Sequence, residues 1–122
     1  MIIWITGNSQ SGKTTLARQM KTDKTVLLDG DDFRGVYPTG FSLKDRWEHN
    51  IRIAKIAKLI DKQGINVIVS FICPYKKLRE EVREITNCSF IYLSGGKKHK
   101  DYPYEYEDKK YFKADSKICL LK

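Results

Sequence analysis

Nine consecutive residues, Gly7, Asn8, Ser9, Gln10, Ser11, Gly12, Lys13, Thr14 and Thr15, carry the spacing GxxxxGK(S/T). Each fixed position has a task at a polyphosphate. Gly7 and Gly12 allow the backbone to curl so that successive N–H groups point inward at phosphate oxygens. A helix beginning near Lys13 adds the positive end of its dipole. The Lys13 ammonium can bridge the β- and γ-phosphates of a nucleoside triphosphate, and the Thr14 hydroxyl can fill one position on Mg²⁺. A plain strand–turn–helix with a Gly-rich connection is the alternative, and the flanking context argues against it.

Two further groups of residues have types suited to chemistry. Asp29, Gly30, Asp31 and Asp32 place three carboxylates within four residues at the end of an apolar run. Carboxylates at the carboxyl end of a strand in an α/β sheet lie where ligands bind. Their mutual repulsion would be relieved by Mg²⁺ or by a substrate hydroxyl, and Arg34 just beyond can hold an anion or pair with an aspartate. Ser42, Asp45, Arg46 and His49 recur at three- and four-residue steps, which puts them on one face of a helix near its start. A solvated face is the competing account of that stripe.

The elements that must position these groups are legible from apolar patterning. Ile2 to Thr6 is a short β-branched run and reads as a buried strand, and Leu16 to Met20 continue a helix without a breaker. Thr25 to Leu28 is a second strand, and 33–41, with Gly35, Pro38 and Gly40, reads as a loop. Ser42 opens a long helix with a capping-box-like start through Asp45. That helix is expected to run to Lys62 or Gln63 and stop at Gly64, with Ile53, Ile56, Ala57 and Ile60 on its apolar face. Ile65 to Ile72 is the most strand-like run, Tyr75 to Ile85 a helix after Pro74, and Ser89 to Leu93 a fourth strand. Ser94 to Asp115 is polar and aromatic with little periodicity, and Ile118 to Leu121 reads as a fifth strand. Alternating strands and helices predict an α/β fold: a mostly parallel five-stranded sheet with helices on both faces, formed by residues 1–122 as a single domain.

Length and composition bound the function. A chain of 122 residues suits one small domain. Its 23 Lys and Arg exceed 15 Asp and Glu, a net charge of +8 that favours anionic partners. The lysines are spread along the chain apart from Lys97, Lys98 and Lys100, so a solvated basic surface accounts for them better than dedicated nucleic-acid binding. Cys73, Cys88 and Cys119 have no paired or metal-ligand spacing, which reads as reduced thiols in a cytoplasmic protein. No signal-peptide pattern and no apolar run of membrane-spanning length is present.

Taken together, the blocks resemble the adenylylsulfate kinases, P-loop enzymes that phosphorylate the 3′-hydroxyl of adenosine 5′-phosphosulfate (APS). The family pattern reads GLSGSGKTT, LDGDNVR, GFSxxDRxEN, SFISPYR and later PYE. The corresponding text is GNSQSGKTT at 7–15, LDGDDFR at 28–34, GFSLKDRWEH at 40–49, SFICPYKK at 70–77 and PYEY at 103–106. The resemblance implies a P-loop kinase-like domain that uses ATP and Mg²⁺. It implies that Lys13 and Asp31 are catalytic and that Thr14 and Asp31 serve the metal. Gly7 to Thr15 would bind ATP, while Asp29, Arg34, Phe41, Arg46, His49 and Ile72 would bind the acceptor. The implied partner is a small nucleotide rather than nucleic acid or membrane, and a homodimer is a compatible assembly.

The chain departs from that pattern at named places. Gln10 stands where the family has a second glycine, Asp32 replaces an asparagine, and His49 falls on the family asparagine with Asn50 one residue later. Cys73 replaces a serine. After Leu93 the family carries a long basic lid, whereas here only 94–102 precede Pro103. Lys97, Lys98 and Lys100 on a Gly95-Gly96 hinge are the candidates for a reduced lid. Two other functions fit the sequence: a P-loop kinase for another nucleotide, a sugar or a polynucleotide 5′-end, and a nucleotide-binding protein without turnover.

Overall fold

The structure is a computed structural model; it describes residues 1–97 and 103–105, and the backbone of two short strands at 111–113 and 118–121. In chain order the elements are β1 (Ile2–Thr6), α1 (Lys13–Met20), β2 (Thr25–Asp29), α2 (Gly30–Val36), α3 (Leu43–Asp61), β3 (Asn66–Ser70), α4 (Lys76–Thr86), β4 (Ser89–Leu93), β5 (Tyr111–Lys113) and β6 (Ile118–Leu121). The sheet order is β2-β3-β1-β4-β6-β5. β1 to β4 pair in parallel, and β6 and β5 extend the sheet antiparallel. Among the described residues the sheet therefore has six strands rather than the five expected. β5 lies in the polar, aromatic stretch whose lack of periodicity concealed it, because an antiparallel edge strand does not need the apolar run of a buried one.

Side-chain alternation explains the layers. Along β1, Ile2 and Trp4 face one core while Ile3 and Ile5 face the other. Val67 and Val69 of β3 and Phe90 and Tyr92 of β4 join the first core; Ile68 and Ile91 join the second. α3 and α4 cover the first with Ile53, Ala54, Ala57, Leu78 and Val82, and α1 covers the second with Leu16, Ala17 and Met20. A parallel sheet covered on both faces is the outcome that near-continuous apolar strands require.

The stretch after β2 departs from the expectation. Residues 30–36 form a helix rather than the first part of a loop. The Asp29 side chain caps it, accepting from the Asp31 and Asp32 N–H groups at 2.9 and 3.2 Å. Asp31 and Asp32 occupy its first turn, where the helix dipole favours negative charge. The clustered carboxylates are thus relieved in part by a helix N-terminus. Gly30 is required there because a Cβ would overlap the Phe71 ring. The helix stops at Val36, two residues before Pro38, whose ring disfavours helical backbone at Tyr37.

α3 begins as the sequence indicates. Ser42 and Asp45 form a reciprocal capping box, and Gly64 follows the helix with φ +80°. The polar stripe is solvated only at its start: Ser42 is exposed and Asp45 half-buried, whereas Arg46 and His49, and Asn50 next to them, are buried. β3 is shorter than the apolar run that contains it. Phe71 to Cys73 leave the sheet but stay fastened to β1, since Trp4 Nε1 donates to the Phe71 carbonyl at 3.0 Å and the Cys73 N–H donates to Thr6 Oγ1 at 3.0 Å.

Arg79 of α4 secures the far side of that loop. It is fully buried, donates to the Cys73 carbonyl at 2.7 Å and to the Glu105 carbonyl, and lies over the Tyr104 ring at 4.6 Å. The Glu105 N–H in turn donates to the Pro74 carbonyl at 2.7 Å. An Arg79→Met substitution keeps most of the volume but leaves two carbonyls without a donor. We expect it to cost about 2–4 kcal/mol, measured as a lower urea midpoint at unchanged slope.

Candidate active site

The site is built by three loops that leave the carboxyl ends of β1, β2 and β3, neighbours in the sheet. This is where open α/β sheets hold ligands. The loop after β1 curls tightly. Gly7 has φ +149°, and a Cβ there would overlap the Leu93 carbonyl oxygen. Gly12 has φ +97° and stands at the N-cap of α1 without a side chain to cap it, so the first N–H groups of α1 remain available to an anion. Gln10, in place of the family glycine, adopts φ +60°, a backbone cost of roughly 1 kcal/mol for a residue with a Cβ.

Lys13 Nζ donates to the Gly7 and Asn8 carbonyls at 3.1 and 2.7 Å. Thr14 Oγ1 donates to Asp29 Oδ2 at 2.7 Å and lies 3.4 Å from Ser70 Oγ. Asp31 is exposed and forms a loose pair with Arg34 at 3.6 Å, an arrangement worth little in water. The Arg34 guanidinium lies over Phe41 at 4.4 Å and near Phe71 at 5.7 Å, each a cation–π contact. Arg46 is almost fully buried; its Nε donates to the Tyr75 hydroxyl at 3.1 Å and its Nη1 to the Phe41 carbonyl.

These groups line one cleft of about 590 Å³. Of the residues singled out in the sequence, Ser9, Gln10, Gly12, Lys13, Thr14, Thr15, Asp29, Asp31, Arg34, Phe41, Arg46 and Ile72 face it. Gly7, Asn8 and Ser11 lie behind it as the frame of the loop. His49 does not reach the cleft, contrary to the expectation of a substrate contact. Its ring is fully buried, edge-on to Phe71 at 5.1 Å, with Nε2 at 3.2 Å from the Gly30 carbonyl. Burial holds its pKa below 6.5, the Gly30 contact opposing and the Arg34 and Arg52 charges assisting. Asn50, one turn beyond Arg46, takes the cleft position instead; its Nδ2 donates to the Arg46 carbonyl at 2.9 Å. Sequence reasoning missed Asn50, Ser70 and Phe71. The four-residue step from Arg46 pointed to Asn50, and Ser70 is the polar residue that ends β3.

Among the described residues no cluster of three or more His, Cys, Asp or Glu side chains forms a ready metal cage. What the cleft offers near Thr14 is oxygen: its own hydroxyl, the Asp29 and Asp31 carboxylates and the Ser70 hydroxyl. Such sparse oxygen donors suit Mg²⁺, which keeps waters and binds through one or two protein groups plus substrate phosphates.

The segment after β4 does not form a free hinge. The Lys97 N–H donates to the Ser9 carbonyl at 2.7 Å, and a Cβ on Gly96 would overlap that carbonyl. Lys98, His99 and Lys100, the remainder of the expected reduced lid, lie outside the described residues. Cys73, at the family serine position, is fully buried.

The sequence profile of the adenylylsulphate kinases matches residues 1–109. The chain belongs to that family. Over 91 residues it is 42% identical to a probable adenylyl-sulfate kinase of Archaeoglobus fulgidus, covering 68% of this chain and 59% of that protein. Over 92 residues it is 41% identical to a probable adenylyl-sulfate kinase of Bacillus subtilis, covering 69% and 47%. Among solved structures, the Mycobacterium tuberculosis APS kinase in complex with AMPPNP and APS superposes with a TM-score of 0.64 at 29% identity, over 75% of this chain and 59% of that one. The chain spans about half the length of the curated relatives it matches. No helix among the described residues is long and apolar enough to cross a membrane.

The electrostatics of this family member give a pH prediction. Burial strips water from the Lys13 ammonium and lowers its pKa from 10.5 to about 8, partly offset by the Asp31 and Asp29 carboxylates. A lysine with a lowered pKa binds fewer protons folded than unfolded, so the ligand-free chain gains stability as pH rises from about 8 toward 10.5. A triphosphate held in the cradle would restore the charge. Binding of a nucleotide presented as its Mg²⁺ complex, whose terminal phosphate is already ionised, should therefore take up close to one proton at about pH 9 and almost none at about pH 6.5. Calorimetry in buffers of different ionisation enthalpy measures this directly; equal uptake at both values would contradict it.

Proposed function

We propose that this chain catalyses ATP- and Mg²⁺-dependent phosphoryl transfer to the 3′-hydroxyl of adenosine 5′-phosphosulfate, giving 3′-phosphoadenylyl sulfate. The observation that carries this reading is one cleft lined both by the phosphate loop and by Phe41, Arg34, Arg46 and Ile72, with Asp31 lining the same space. The family membership and the relatives' names support the same acceptor.

Catalysis in this reading is positioning and charge neutralisation. Lys13 leaves the Gly7 and Asn8 carbonyls for the phosphate oxygens, where its charge meets the negative charge on the transferring group. The uncapped α1 N-terminus and loop N–H groups hold the remaining oxygens. Mg²⁺, when bound, neutralises phosphate charge, and Thr14 with an aspartate of the cleft would hold it. Asp31, exposed and only loosely paired, orients the acceptor hydroxyl and receives its proton. Arg34 and Arg46 face the phosphosulfate, where forked guanidinium donors match planar oxyanions. Phe41, exposed and with the Arg34 guanidinium over its ring, offers its free face to the adenine, with Ile72 lining the pocket. The same reading takes the chain as one domain with a small nucleotide partner in a reducing, cytoplasmic setting, and a homodimer remains compatible.

Lys13→Ala should lower turnover by about 10²–10³, comparable to the loss of a preorganised donor to a transition state. Coupled-assay rates near the parent's would remove the kinase reading. The acceptor is tested by binding. Adenosine phosphosulfate should bind with a shallow salt dependence and weaken in both Arg34→Ala and Arg46→Ala. A polynucleotide acceptor engaging many phosphates would give a steep fall of affinity with salt, and that slope without binding of adenosine phosphosulfate would reassign the acceptor.

A further inference from the structure

Asp29 is expected from family resemblance to sit beside the acceptor, yet its oxygens are engaged elsewhere. Oδ2 accepts the Thr14 hydroxyl at 2.7 Å. Oδ1 accepts the Asp31 and Asp32 N–H groups at 2.9 and 3.2 Å. Three of the roughly four lone-pair sites of the carboxylate are thus used inside the protein. The two oxygens serve different elements. One reaches α1 at the residue that would meet the metal and phosphates. The other fixes the first turn of α2, which carries Asp31 and Arg34 into the cleft.

The position of Asp29 is itself tightly set. It pairs with Ser70 in the β2–β3 register, and Ser70 Oγ lies 3.4 Å from the same Thr14 hydroxyl. The next residue, Gly30, lies against Phe71 without room for a Cβ. A shift of the Asp29 carboxylate therefore cannot be absorbed by a loose backbone; it passes to α2. A hydroxyl has one proton and two lone pairs. With its proton given to Asp29, Thr14 turns its lone pairs outward, as a ligand to a cation must.

We propose that Asp29 is a positioning residue that couples the nucleotide side of the cleft to the acceptor side, orienting the Thr14 hydroxyl with one oxygen and the first turn of α2 with the other. The proposal rests on the kinase reading above. Occupation of the phosphate cradle holds Thr14 and, through Asp29, holds α2 with Asp31 and Arg34 in place. Each ligand then tightens the other by the same factor, as linkage requires. Asparagine at position 29 separates the two tasks. Its carbonyl can still cap α2, since asparagine is a good N-cap. Its amide nitrogen then faces Thr14 and donates to the hydroxyl oxygen, occupying a lone pair that a cation would use.

The test uses the full chain, Mg²⁺ with AMPPNP, and APS. The first measurement is hydrogen exchange at the Asp31 and Asp32 amides with and without Mg·AMPPNP. In the parent chain the nucleotide should slow exchange there; in Asp29→Asn exchange should begin near the parent rate and not respond. The second is the ratio of APS affinities with and without Mg·AMPPNP. It should be about tenfold in the parent, within the usual range of coupling, and fall to near one in Asp29→Asn. Asp29→Ala should lose the cap as well, with a lower melting temperature and fast exchange under both conditions. Parent-like response and coupling in Asp29→Asn would reduce Asp29 to a helix cap and overturn the proposal, as would a parent chain that binds Mg·AMPPNP without protecting Asp31 and Asp32. A parent chain that fails to bind Mg·AMPPNP sinks the kinase reading and the proposal together. Binding of Mg·AMPPNP but not of APS changes only the acceptor, and the exchange measurement still decides the role of Asp29.

Discussion

Without a ligand, the phosphate cradle is closed partly by a donor that a ligand would take: Lys13 spans the Gly7 and Asn8 carbonyls. A loop that gives up that ammonium and the N–H groups at the start of α1 to a ligand has to be held from outside as well. The neighbours supply that support. The end of β4 presses its Leu93 carbonyl against Gly7. The segment beyond it pairs Lys97 with the Ser9 carbonyl. Asp29 takes the Thr14 hydroxyl from the side of β2. Where the loop must curl, positive φ angles fall at Gly7, Gln10 and Gly12, the last of them free of any side chain that would compete for the helix N-terminus.

The part of the cleft around Arg46 is organised differently, by buried cations. Arg46 is held by the Tyr75 hydroxyl and the Phe41 carbonyl, and Tyr75 stacks on Trp47 at 5.8 Å. Arg79 ties Cys73 to the segment at 103–105. A guanidinium suits these places because its planar fork satisfies several carbonyls at once while its charge stays delocalised. The result is a hydrogen-bonded frame that joins the Phe41 backbone, α3, α4 and the loop after β3. α2 is seven residues long and is held by the Asp29 cap, by the fit of Gly30 against Phe71, by the His49 contact to the Gly30 carbonyl and by the Phe33–His49 ring contact.

The local elements were largely legible in the sequence. A short apolar, β-branched run before a glycine-rich turn, with a breaker-free run after it, identified β1, the loop and α1; Ser42 with Asp45 marked the start of α3; and the long apolar run located β3. So was the family, because blocks such as LDGD at 28–31 and GFSLKDR at 40–46 occur together and in the order of the family pattern. Local patterning also misled where a tertiary contact outweighed it. Gly35, Pro38 and Gly40 suggested a loop from 33 onward, yet α2 forms because Asp29 caps it locally and Gly30 fits against Phe71, a residue far along the chain.

Residue types alone therefore determined that this protein has a nucleotide-type loop on a parallel sheet and which side chains could serve it. Only the tertiary structure decided which of them share the cleft. His49 and Asn50 are adjacent in sequence and both polar, but one helical step of about 100° turns the first into the core against Phe71 and Phe33 and the second toward the ligand side. Asp29 and Thr14, fifteen residues apart, meet because β2 and β1 flank β3 in the sheet. A linear sequence lists donors and acceptors; which pair forms depends on the strand order that brings their elements together.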